Sequence, residues 1–442
     1  MTDTAGTTGT TGTADTTGTT DTTTGTTGTT GTTGTTTGTR PLLIYVHVPF
    51  CNSKCHFCDW VTEIPTSELL LRPADVSRRA YIDALCREIR ERGAELSGRG
   101  YRPAIMYWGG GTASILAEHE IALIGEALHE VFDMSRPLDE STIECSPESL
   151  TLAKLAAFRD VGFRRWSSGV QSFDERRLRR LGRSHDATQA RHAVHLAAEA
   201  GFEDRSIDLI CGLPGEDLDE VEASVRAALE LPVTHVALYP YRPAHGTVLR
   251  RQVTRGTTAM LRAEQKTAYA RAAGLLTEAG LPEYAMSHFG HHRCLSDLAY
   301  FQLRMDWAGF GSGATSLIGG EYLAHRRGFL TAYNRDPLRF DERYPAASPA
   351  IAARFLYQSL TTFEGASRSL WRERTGTELE EALSLGPCRH LLGFLERVAD
   401  VHSDEEGVRL GRDQITDAFI DLQFAGIAGT GGAEPQAAAL LG

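Results

Sequence analysis

Three cysteines, Cys51, Cys55 and Cys58, fall within eight residues of "YVHVPFCNSKCHFCDW", spaced four and three apart. The other five, Cys86, Cys145, Cys211, Cys294 and Cys388, are scattered through a long chain, which suits a reducing compartment rather than a disulfide framework. The close set therefore reads as a group of metal ligands. A structural zinc site asks for four ligands, commonly two CxxC pairs. The neighbouring candidate, His56, sits between two of the cysteines and is badly placed to share one metal with them. A cubane [4Fe–4S] cluster held by three thiolates keeps one iron open. An open iron can chelate a small molecule through an amine and a carboxylate.

Such a loop needs a scaffold, and the flanking sequence alternates in a way that supplies one. Apolar strand runs at 42–48, 104–110, 142–147, 164–172, 205–214 and 235–243 alternate with helical patterns at 78–93, 120–132, 149–162, 187–201, 218–231 and 258–280. Six βα units in series predict an α/β fold with a parallel sheet, as a partial (β/α)6 TIM-like barrel or a doubly wound sheet. In either case chemistry belongs at the C-terminal ends of the strands. The polar motifs fall there. The cysteine loop follows the first strand and "GGGTAS" (109–114) the second, Glu144 ends the third and Gln171 the fourth, Asp208 lies on the fifth, and Tyr239 to Arg242 end the sixth.

The rest of the composition sets limits. The chain has 442 residues, 41% of them hydrophobic, enough for one large and one smaller domain. A net charge of −12 argues against a general nucleic-acid surface. No apolar run of about 18 residues suggests a membrane span. Residues 1–39 are nearly all Thr and Gly and read as a disordered tail without a signal-peptide pattern, and 429–442 read the same way. Between them, 40–345 form the barrel and its extension. Residues 346–428, with helical patterns followed by a turn and strand at 403–412, predict a small winged-helix-like unit that serves as a lid.

The CxxxCxxC spacing, with Phe57 before the last cysteine, resembles the signature of the radical S-adenosylmethionine (SAM) enzymes. "IYVHVPFC", "WGGGTAS", "SSGVQSFD", "LGRSHD", "IDLICGLPGE" and "YRPAHGT" make the chain similar to the HemN/HemW branch of that superfamily over about residues 42–320. The branch holds coproporphyrinogen III dehydrogenase, the HemW haem chaperones, and class C SAM-dependent C-methyltransferases and cyclopropanases of natural-product pathways. The resemblance implies the radical SAM barrel, a [4Fe–4S] cluster on Cys51, Cys55 and Cys58, and SAM bound beside it, with two SAM molecules per chain. Tyr45, Gly110, Gly111, Thr112, Glu144 and Ala314 would serve the first SAM, the glycines by letting backbone approach closely. Phe57, Gln171, Arg183, Asp208 and Arg242 match a second SAM pocket. It further implies a cytoplasmic protein, a flavodoxin- or ferredoxin-type electron donor, and an aromatic or unsaturated small-molecule substrate.

Departures from the family patterns separate its members. The dehydrogenase resembles CxxxCxxCxC, where this chain has Trp60 at the extra cysteine. HemW proteins carry an HNxxYW segment tied to haem. The matching stretch here is "CLSDLAYFQ", with Ser296 at the histidine and Phe301 at the tryptophan, although His288, His291 and His292 lie just upstream. "CDW" and "ECSPESLT" resemble the methylating group more. The expectation is therefore a class C C-methyltransferase or cyclopropanase, which draws hydrogen from the methyl of a second SAM and adds the carbon to an sp² centre, as in antibiotic biosynthesis. A HemW-like haem chaperone is the alternative, and porphyrinogen oxidation a weaker one. Tyr239, Tyr241 and His245 are the candidates for the catalytic proton acceptor.

Overall fold

A computed structural model describes residues 39–59, 77–326 and 330–428. The chain divides into two units, Met1–Gly38, which lies outside the described residues, and Thr39–Gly442. The tails expected at both ends, and Trp60, also fall outside the described residues, apart from Thr39.

The second unit is built on one twelve-stranded sheet. Its centre is six parallel strands in chain order: β1 (Arg40–Val48), β2 (Tyr101–Gly110), β3 (Glu140–Cys145), β4 (Arg165–Gln171), β5 (Asp204–Cys211) and β6 (His235–Pro240). Beyond β6 the hairpin of β7 (Glu283–Ala285) and β8 (His288–Gly290) runs antiparallel. On the other side, β9 (Asp306–Phe310) pairs parallel to β1 and leads into antiparallel β10 (Thr315–Ile318), β11 (Glu321–Ala324) and β12 (Glu342–Pro345). Among the described residues the end strands β12 and β7 do not pair with each other, in keeping with the expected partial barrel.

Strand β1 shows why a parallel sheet forms. Both faces are covered, so from Leu42 to Val48 only Tyr45 keeps partial exposure. Leu42, Ile44, Val46 and Val48 pack with the outer helices, while Leu43 faces the cluster shared with the C-terminal helices. The crossover helices are capped by local chemistry. Ser77, Thr151, Asp174, Asp186, Asp217 and Thr247 each accept a first-turn N–H. Trp108, beneath the glycine turn, meets Phe158 and Phe163 edge-on.

The C-terminal helices Pro349–Ser359, Arg368–Thr375, Leu379–Ser384, Gly386–Leu395 and Ile415–Ala428 surround a small antiparallel sheet. It has three strands, where the sequence showed one at 403–412: β13 (Ala366–Ser367), β15 (Gly407–Leu410) and β14 (Val401–Ser403). The start at 346 follows β12, yet these helices share one hydrophobic cluster with Leu43, Ile105, Trp307 and Leu317 of the large sheet. None of the described helices is long and apolar enough to cross a membrane.

Candidate active site

The C-terminal ends of the parallel strands open onto a cavity of about 710 Å³. Cys51, Cys55 and Cys58 lie on its wall with Tyr45, Phe57, Gly110, Gly111, Thr112, Glu144, Gln171, Arg183, Asp208, Tyr239, Tyr241 and Arg242. Two expected residues do not. Ala314 is 1% exposed and off the wall, to which its neighbours Gly313 and Thr315 contribute instead. His245 is exposed outside the cavity, which removes it as a proton acceptor there.

None of the three loop cysteines is in a disulfide, and all are partly exposed. Among the described residues no group of three His, Cys, Asp or Glu gathers tightly enough for one ion. A cubane does not ask for that, since each thiolate takes its own iron. Two of the sulfurs already accept hydrogen bonds, Cys51 Sγ from Thr112 Oγ1 at 3.5 Å and Cys55 Sγ from Arg183 Nη1 at 3.1 Å. Hydrogen bonds to sulfur are a means by which proteins stabilise cluster thiolates. His56 is committed elsewhere, with Nδ1 2.8 Å from the Arg180 carbonyl. The donor set of three thiols on one cavity wall therefore fits a cluster.

The glycine turn serves two purposes. Gly110 takes φ +106° and donates its N–H to Glu144 Oε2 at 3.3 Å. Gly111 lies against the cysteine loop, where a Cβ would come within 2.7 Å of the Phe50 and Val48 carbonyl oxygens. Its N–H is spent on the Val48 carbonyl at 2.8 Å. Gly111 thus holds the loop to the end of β1, and its amide is not free for a ligand as the resemblance implied.

Glu144 also accepts from Tyr107 Oη at 3.3 Å. Burial lifts its carboxyl to about 7. Burial, reinforced by the charge of Glu144, lifts Asp208 to about 8. Asp297, on the same wall, adds to both. Carboxyl groups in such a place call for a cation. SAM brings a sulfonium and an ammonium, so this donor set fits it.

Gln171 stands where β4 breaks register with β5, at φ +70°, an uncommon conformation for a residue with a side chain. Arg183 is braced from three sides beside Cys55. Its Nη2 donates to Gly169 O at 2.7 Å and Ser146 Oγ at 3.2 Å, and lies 3.4 Å from His185 Nδ1. Arg242 donates to Asp59 Oδ2 at 3.0 Å and so ties the end of β6 to the cysteine loop. In this structure Arg183 and Arg242 are engaged with that loop.

On one side of the cavity, sequence reasoning had named only Ser296 and Phe301, as positions of a haem-linked segment. Helix Leu295–Phe301 brings Ser296, Asp297, Tyr300 and Phe301 to the wall. Its N-terminus is held by Glu140 of β3, which accepts from Leu295 N at 2.6 Å, Ser296 N at 3.1 Å and Ser296 Oγ at 2.7 Å. Met286 and Ser287 arrive from the turn between β7 and β8, Trp307 from β9, and Arg354, Tyr357, Gln358 and Gln423 from the C-terminal helices. Tyr107 could have been found, because alternation along β2 puts it on the same face as Gly109. His291 and His292 are exposed, while His288 is buried among rings of His235, Tyr239, Tyr284 and Phe301, and burial depresses its basicity.

Residues 45–228, from β1 through the helix after β5, match the model of the radical SAM superfamily. The heme chaperone HemW of Lactococcus lactis subsp. lactis (strain IL1403) is 31% identical over 285 residues, 64% of this chain and 71% of that protein. The chain belongs to the HemN/HemW-like branch of the radical SAM superfamily. The heme chaperone HemW of Escherichia coli (strain K12) is 30% identical over 308 residues, 66% of this chain and 76% of that protein. Among solved structures, the coproporphyrinogen III oxidase HemN of Escherichia coli shares the fold at a TM-score of 0.68. Identity there is 23%, over 87% of this chain and 90% of HemN. Membership assigns a [4Fe–4S] cluster and SAM to this radical SAM enzyme. When bound, the pair supplies a 5′-deoxyadenosyl radical.

The same relatives overturn one expectation. The reading as a C-methyltransferase or cyclopropanase of antibiotic biosynthesis is corrected, because the similarity spread over some 300 residues is to HemW proteins. The strings that favoured methylation carry little substrate information. In "ECSPESLT", Ser146 bonds to Glu148, Glu148 accepts from Ser184 at 2.7 Å, and Thr151 caps the next helix. Such residues report how a strand end is braced.

Proposed function

We propose that the chain is a haem-handling protein of the HemW type, which holds a cluster and SAM at the Cys51–Cys58 loop and takes an iron tetrapyrrole in the outer part of the same cavity. The observation that carries this reading is the outer wall. Met286, Tyr300, Phe301, Trp307 and Tyr357 offer an apolar, largely aromatic surface suited to a flat macrocycle, and Arg354 offers a cation suited to a carboxylate side chain. The names of the relatives point the same way.

In this reading Cys51, Cys55 and Cys58 bind the cluster. Tyr45, Gly110, Thr112 and Glu144 contact SAM, and Glu144 compensates its positive charge. Phe57, Gln171, Arg183, Asp208 and Arg242 border the space between cluster and tetrapyrrole. Of the two candidate tyrosines, Tyr239 is 40% exposed and Tyr241 2%, so Tyr239 is the one within reach of a ligand. Eight cysteines with no disulfide among them, three of them cluster ligands in this reading, suit the reducing cytoplasm.

The test is an anaerobic titration of the reconstituted protein with haem, followed by its Soret band. The expected result is saturable binding of one haem per chain, weakened in Trp307→Ala and Tyr357→Ala. A Soret band unaltered by the protein at saturating concentration would overturn the proposal.

A further inference from the structure

The cysteine loop is held between two short arginine-rich helices. His56 N–H donates to Leu181 O at 2.8 Å, and Leu249 N–H donates to His56 O at 3.1 Å. Helix Glu175–Leu181 therefore ends, and helix Val248–Thr254 begins, directly against the loop. Asn52, Ser53, Phe57 and Asp59 face the cavity with the cysteines, whereas His56 turns toward the Arg180 carbonyl. The loop thus has a cavity side and a side carried by the two helices.

The helix side is basic. Helix Glu175–Leu181 holds Arg176, Arg177, Arg179 and Arg180 against one carboxylate, Glu175. Helix Val248–Thr254 holds Arg250 and Arg251 and no carboxylate, and Arg255 follows it. Arg177 turns inward to Glu216. The others remain at the surface, with Arg176, Arg179, Arg251 and Arg255 exposed and Arg180 and Arg250 partly so. Arg176 pairs with Glu220 at 2.6 Å and Arg179 with Glu175 at 4.0 Å. Among the described residues, Arg180, Arg250, Arg251 and Arg255 have no carboxylate within salt-bridge distance. In a chain of net charge −12, this is a local reversal of sign among the described residues of the two helices beside the cysteine loop.

We propose that this arginine collar is the docking surface for an acidic one-electron carrier of the flavodoxin or ferredoxin type. Each reductive cleavage of SAM consumes one electron, which has to come from outside the chain. A carrier seated on the collar gives up one electron to the cluster and is itself oxidised by one electron, with no atom or proton transferred. Charge complementarity selects an acidic partner. Opposed charges raise encounter rates by roughly 10- to 1,000-fold at low ionic strength, an advantage that salt removes. The donor and the cavity's ligands then approach the loop from different sides. The proposal rests on the cluster and SAM, and it is independent of what fills the outer cavity.

The test uses the full chain with its cluster, and the variant Arg179→Glu, Arg251→Glu, Arg255→Glu. None of these three side chains lines the cavity. Photoreduced flavodoxin is mixed anaerobically with each protein, and cluster reduction is followed by its loss of visible absorbance. The expected result is at least a tenfold lower second-order rate constant in the variant at low salt. The wild-type rate should fall steeply with added KCl and the variant rate should not. Reduced methyl viologen, a small cation, should reduce the variant as fast as the wild type or faster. The corresponding triple Arg→Gln protein should show a smaller loss in the same direction, whether or not the Glu variant folds. Equal rates and equal salt dependence with flavodoxin, or an equal loss with viologen, would overturn the proposal.

Discussion

Replacing Arg183 by Gln should make the cluster harder to reduce, before any SAM is added. The guanidinium stands 3.1 Å from Cys55 Sγ and is held there by Gly169 O and Ser146 Oγ. Reduction adds one negative charge, spread over the cluster, beside this fixed cation. At a separation of roughly 5 Å and an effective dielectric constant near 20, the attraction is about 3 kcal/mol. A charge-assisted hydrogen bond by itself is worth about 1.5–3 kcal/mol. Arg183 is partly exposed, and Gln retains a neutral donor, so about 1–2 kcal/mol of that preference should be lost. With 59 mV per tenfold for one electron, the midpoint potential should fall by about 40–90 mV. Arg183→Lys keeps the charge without the fork and should fall between the two. The assay is a redox titration of reconstituted, SAM-free protein monitored by electron paramagnetic resonance. An unchanged potential at full iron content would refute the reasoning. Arg183 would then act only on a bound ligand, as the resemblance first implied.

Three further outcomes follow from the same geometry. Cys51→Ala, Cys55→Ala and Cys58→Ala should each abolish the [4Fe–4S] spectrum, while Cys294→Ala and Cys388→Ala, buried away from the cavity, should keep it, as iron analysis and absorbance would show. Gly111→Ala should lower the melting temperature and the iron content together, because its Cβ meets two backbone carbonyls that cannot give way. The pH dependence has a definite sign. Glu144 and Asp208 are lifted to about 7 and about 8, so the folded protein binds more protons than the unfolded chain between the ordinary carboxylate range and those values. The contribution of these two groups to stability without SAM should therefore fall as pH rises from about 4 to 8, and Glu144→Gln should remove its part of that fall. The rise in melting temperature on adding SAM should be larger at pH 8 than at pH 6, and Glu144→Gln should shrink that difference.

Much of the site was legible because it is local. The cysteine loop, the glycine turn, Glu144, Gln171 and Asp208 each end or lie on a strand whose apolar pattern is plain. Parallel topology then brings strand ends to one rim. The side built from β7 to β12 and helix Leu295–Phe301 was not legible. Those strands are three to five residues long, too short for a periodic signal, and their partners are distant in the chain. Short matching strings also misled the functional reading, since beyond Glu144 the residues Ser146, Glu148 and Thr151 of "ECSPESLT" are committed to bracing a strand end and do not tell one branch member from another.

The sequence by itself marked Cys51, Cys55 and Cys58 as the candidate cluster ligands and laid out the six parallel strands along the chain, because thiolate spacing and βα alternation are set by neighbours in sequence, whereas the order of the strands in the sheet came from the structure. Only the tertiary structure decided where side chains reach. It turned Arg183 onto Cys55, spent the Gly111 amide on Val48, kept Ala314 and His245 off the cavity wall, and brought Asp297, Trp307 and Tyr357 onto it. Those outcomes depend on helices and strands up to about 300 residues apart packing on one another, and on a strand end committing each polar group to a partner that no local spacing reveals.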